Sequence, residues 1–65
     1  MSVYQQTLRR ASEIIGDDEE LAQRLGATRG QLLRWLAGEE RPPMDYFLRA
    51  VDIVVRDSVA RYKKP

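Results

Sequence analysis

Leu21-Ala22-Gln23-Arg24-Leu25-Gly26-Ala27-Thr28-Arg29-Gly30-Gln31-Leu32-Leu33-Arg34-Trp35 carries the strongest pattern in the chain. Two helices packed across a tight turn need a small residue where they approach most closely, and Ala22 supplies it. The turn needs a residue tolerant of positive φ, and Gly26 stands four positions later. Apolar side chains must recur at offsets that give both helices one core, and Leu21, Leu25, Ala27, Leu32 and Trp35 occupy them. Seven agreements in fifteen positions set this stretch apart from an arbitrary helical hairpin. Thr28 and Gln31 have the spacing of a capping box, so the second helix starts at Arg29. The pattern predicts a helix-turn-helix over about 18–37.

Upstream, Tyr4, Leu8, Ala11 and Ile15 recur at helical spacing with Ile14 widening the stripe, which predicts a helix from about Val3 to Ile15 with Ser2 as its N-cap. Asp17-Asp18-Glu19-Glu20 resembles a charged tail, but it sits at a helix start. Asp17 caps, Glu20 stands at capping-box distance, and all four carboxylates favour the positive end of a helix dipole. Gly16, Gly26 and Gly38 fall where helices end. Arg41-Pro42-Pro43 then stiffens a loop, since neither proline continues a preceding helix. A long last helix is predicted over about 44–62. Phe47, Val51, Val54 and Ser58 mark one face of it, and Leu48, Val51, Val55, Val59 and Tyr62 an adjoining one.

Sixty-five residues form one domain, over 1–65, and a chain this short buries only about 60% of its unfolded surface. With no cysteine or histidine there is no disulfide, no metal site and no cofactor to be expected. No apolar run approaches membrane-spanning length and no targeting segment is evident, so a cytoplasmic location is expected. The formal net charge is +1. Residues 1–27 hold three arginines against five carboxylates, and residues 28–65 hold eight basic residues against five acidic ones, so the second half is the one suited to a polyanion.

The stretch 21–35, continued by Arg34-Trp35-Leu36-Ala37-Gly38, Pro43 and Phe47-Leu48, resembles the lambda-repressor-like helix-turn-helix of the Cro/CI and XRE-type regulators over about residues 14–55. The resemblance implies an all-α fold, a compact four- or five-helix bundle, that binds double-stranded DNA as a transcriptional regulator. It places the helix from about Arg29 to Ala37 in the major groove. Thr28, Arg29, Gln31 and Arg34 would then reach bases, Arg suiting guanine and Gln suiting adenine. Gly30 would let the backbone approach closely. Arg41, Lys63 and Lys64 would hold phosphates. Gln31 alternatively serves the capping box alone, and Lys63 and Lys64 are alternatively a soluble end. Arg24, Arg49 and Arg56 are expected as solvated or ion-paired surface, and Trp35 as core.

The sequence departs from that family at Asp18, where a phosphate-contacting Gln is common, and at Leu33 and Leu36, where polar residues are common. Leu33 would touch a thymine methyl or a protein. The alternative is therefore a protein-interaction module on the same scaffold, with Leu33, Leu36 and the arginines meeting another protein. An enzyme is not expected, because no His or Cys is present and no serine lies in a nucleophile motif. Val55, Val59 and Tyr62 lie beyond the reach of the rest of the bundle, which predicts a homodimer contact helped by Tyr4 or Leu8. Two-fold pairing would present two reading helices to half-sites about 34 Å apart. The competing expectation is that the first helix folds back over that surface.

Overall fold

Side chains that satisfy the free N–H groups of a first turn determine where the helices begin. In the computed structural model, which describes residues 2–62, Ser2, Asp17 and Thr28 immediately precede helices α1 (Val3–Ile15), α2 (Asp18–Leu25) and α3 (Arg29–Ala37). Ser2 Oγ accepts from the Gln5 N–H at 3.2 Å while Gln5 Oε1 accepts from the Ser2 N–H at 3.1 Å, a complete capping box. At α2 the box is incomplete. Asp17 accepts from the Glu19 N–H, but Glu20 turns away from the cap to pair with Arg24 at 3.2 Å. Helix α4 (Met44–Tyr62) follows Pro43, whose carbonyl accepts from the N–H groups of both Tyr46 and Phe47.

The turn between α2 and α3 is closed by hydrogen bonds from Gly26 N–H to Gln23 O and from Ala27 N–H to Ala22 O. This is the Schellman arrangement, which puts its central residue in the left-handed region, and Gly26 has φ +80° there. A side chain at 26 would also press on Arg49, whose guanidinium lies 3.2 Å from the Cβ position.

The core consists of Leu8, Ala11, Leu21, Ala22, Leu25, Leu32, Trp35 and Ala50. Both helices of the 21–35 stretch bury the apolar residues that the sequence pattern assigned to them, with Ala27 half-buried alongside. Helix α1 packs on all three others, and α2 bridges α3 and α4. Trp35 links α3 to α4 by stacking obliquely on Tyr46, with ring centroids 5.3 Å apart. Tyr4 meets Phe47 edge-on at 4.8 Å, which ties the N-terminal end of α1 to that of α4. Fully burying a Leu contributes roughly 1.5–3 kcal/mol, so the four inaccessible leucines supply much of the driving force in so small a domain.

Three expectations are corrected. Ser58 is exposed, and the inner face of α4 is instead Ala50 with half-buried Tyr46, Phe47, Ile53, Val54 and Asp57. Leu8 is fully buried, so it is unavailable to a second chain, whereas Tyr4 is half-buried against Phe47. Leu36 is half-buried against the core and its carbonyl accepts from Gln5 Nε2 at 3.3 Å, so packing accounts for it. Among the described residues the bundle has four helices, with extents of 41 × 22 × 18 Å. Among the described residues no helix is long and apolar enough to cross a membrane, and no acidic, His or Cys cluster suits a metal ion.

Candidate nucleic-acid interface

Helix α3 divides by side-chain chemistry. Leu32 and Trp35 turn inward, while Thr28, Arg29, Gly30, Leu33 and Arg34 are exposed on the side away from the core. The division follows from helical spacing: positions three apart share a face, and their immediate neighbours point elsewhere. Thr28, Arg29 and Gly30 lie at the N-terminal end of the helix, where free N–H groups and the helix dipole favour a negatively charged ligand, whereas Arg34 stands in its last turn.

The local hydrogen bonds limit what each side chain is free to do. Thr28 Oγ1 accepts from the Gln31 N–H at 3.1 Å, and Gln31 Oε1 accepts from the Thr28 N–H at 2.9 Å. The capping reading of Gln31 is therefore realised. A bidentate adenine contact needs both amide atoms, so Gln31 would have to leave the cap to make one. Arg34 Nε lies 3.4 Å from Glu40 Oε1, both side chains being about half exposed, and such a solvated pair is worth little. Arg34 can exchange Glu40 for another acceptor at small cost.

Arg29 lines an open depression of about 660 Å³ with Asp17, Asp18 and Glu19 of the α2 start and with Arg9 and Glu13 of α1. Asp18 also accepts a hydrogen bond from Ser12 Oγ, which ties the start of α2 to α1. Arg9 lines the same depression as Arg29 because α1 packs against α2 and α3; nothing in its local sequence marked it. Arg41 lies over the Tyr4 ring, 5.2 Å from the centroid, in a cleft with Gln5, Trp35 and Glu40. Lys63 and Lys64 lie outside the described residues.

Leu33 is 40% exposed, the one large apolar side chain that α3 presents outward. Gly30 is open: a Cβ there would meet only ordinary contacts, 3.7 Å or farther, so no neighbour in the fold requires a glycine. Val55, Val59 and Tyr62, expected at a dimer contact, are exposed on α4, and α1 does not fold over them. Of the arginines expected as surface, Arg24 and Arg56 pair with Glu20 and Asp52, whereas Arg49 bonds to the Leu25 carbonyl.

No family model, curated protein or solved structure matches this chain.

Proposed function

We propose that this chain is a small, cytoplasmic, sequence-specific DNA-binding regulator of the helix-turn-helix, lambda-repressor-like class, with α3 laid in the major groove. One observation carries the reading. The outward face of α3 carries Thr28, Arg29 and an exposed Gly30 at the capped end, and Arg34 of the last turn, whose guanidinium reaches back to 3.7 Å from the Gly30 Cβ position, while Leu32 and Trp35 hold the opposite face on the core. Arginine side chains suit guanine edges, a bare glycine lets the backbone approach, and exposed Leu33 would meet a thymine methyl. Arg41 would add a phosphate contact that positions without specifying. With neither His nor Cys in the chain, the role proposed is binding, without catalysis.

The carboxylates beside Arg29 and the Arg34–Glu40 pair favour a second reading, in which Leu33, Arg29 and Arg34 bind a protein. A titration on mixed genomic duplex fragments at two salt concentrations separates the two. The DNA reading expects binding that weakens steeply with salt and is lost in the Arg29→Ala, Arg34→Ala double variant. Absence of binding at low salt, with the fold intact, overturns it in favour of the protein partner.

A further inference from the structure

Helix α4 has a second apolar face that the bundle leaves open. Met44, Leu48, Val55 and Val59 are each 51–57% exposed, and Tyr62 is 92% exposed. Their spacings of four, seven, four and three residues place them on one stripe at 100° per residue, with half-buried Val51 filling the longest gap. The stripe lies opposite Ala50, the centre of the inner face, so α1 and α2 pack on the other side of the helix. A continuous exposed stripe of this kind marks an interface.

The charges beside the stripe point to its occupant. Asp45, Arg49, Asp52 and Arg56 follow one edge, with Arg49 engaged at the Leu25 carbonyl and Asp52 Oδ2 2.9 Å from Arg56 Nε. The opposite edge carries Val51 and Ser58, with no charge. In a two-fold antiparallel pair like edges meet with their sequences reversed, which sets Asp52 of each copy against Arg56 of the other. The same register brings Leu48 near Val59 and Val51 near Val55 across the axis. In a parallel pair unlike edges meet, and both acids and Arg56 would face Val51 and Ser58.

We propose that a second copy of this chain docks on this face, α4 against α4 and antiparallel, with the Asp52–Arg56 pairs merging into a four-charge cluster. The pairing stands independently of what α3 binds, and its test uses no DNA. Sedimentation equilibrium of the full chain should show a concentration-dependent dimer. Val55→Asp should raise its dissociation constant by ~10-fold or more, while the thermal melt of the monomer is unchanged because Val55 lies outside the core. Asp52→Arg and Arg56→Asp should each weaken self-pairing, and mixing the two variants should yield a heterodimer tighter than either homodimer. A monomer at every concentration overturns the proposal, as does a dimer indifferent to Val55→Asp. A dimer sensitive to Val55→Asp but indifferent to both charge changes overturns the antiparallel arrangement.

Discussion

Arg49 Nη1 donates to the carbonyl oxygen of Leu25 across 2.7 Å, joining α4 to the last residue of α2. Carbonyls at a helix end have no acceptor role left within the helix, and a guanidinium both donates to them and matches the negative end of the dipole. Arg49→Ala should therefore destabilise the domain by about 1 kcal/mol, a charge-assisted bond discounted for its partial exposure. In a domain of this size that lowers the melting temperature by ~4–8 °C, measurable by circular dichroism. An unchanged melt would mean that water replaces the guanidinium at no cost.

Gly38 and Gln5 form a second cross-helix dependency. Gly38 has φ +81°, and a Cβ on it would lie 2.8 Å from Gln5 Nε2, the atom that donates to Leu36 O. Gly38→Ala should cost about 1–2 kcal/mol for the left-handed backbone, plus the displacement of that amide. In a Gln5→Ala background the same change should cost less, and a coupling of about 0.5 kcal/mol or more in the double-mutant cycle would be the signature.

Leu32 and Leu33 are adjacent but should behave as opposites. Leu32 is fully buried, so Leu32→Ala should cost roughly 2–5 kcal/mol. Leu33→Ala should leave the melt within about 0.5 kcal/mol of the parent. A fall in affinity for whichever ligand α3 binds, without loss of stability, would place Leu33 in the interface.

Gly30→Ala offers a sharper separation of fold from function. The site has room for a methyl group, and alanine is up to about 1 kcal/mol more favourable than glycine within a helix. The variant should melt at the same temperature or higher. If α3 lies close against DNA, duplex binding should weaken even as stability holds or rises, and a titration beside the melt reads both effects.

Glu40→Gln tests the arginine that the ion pair holds. Removing the carboxylate 3.4 Å from Arg34 should cost little stability, because the pair is solvated. Under the DNA reading it should tighten duplex binding several-fold, since Arg34 no longer exchanges one anion for another. Weaker binding would indicate that Glu40 positions Arg34 rather than competing for it.

The helix ends and the inward–outward division of α3 were legible in the sequence because they depend on residues three or four apart. Ser2, Asp17 and Thr28 cap within their own first turn, Gly26 closes its own turn, and Leu32 and Trp35 share a face by spacing alone. The two faces of α4 were less legible. Almost every turn of that helix offers an apolar residue on more than one side, so only packing against α1 and α2 selected Ala50, a small side chain, as the buried centre and left Ser58 outside. The candidate site divides the same way. The resemblance put Thr28, Arg29, Gln31, Leu33 and Arg34 on the outer side of one helix, and of these the structure holds Gln31 half-buried in the cap. Only the tertiary structure decided that Arg29 shares a depression with the α2 carboxylates and Arg9, and that Arg49 serves the end of α2. Those partners lie 10 to 24 residues away in sequence, and what brings them together is the angle at which buried side chains let the helices cross, which no local pattern encodes.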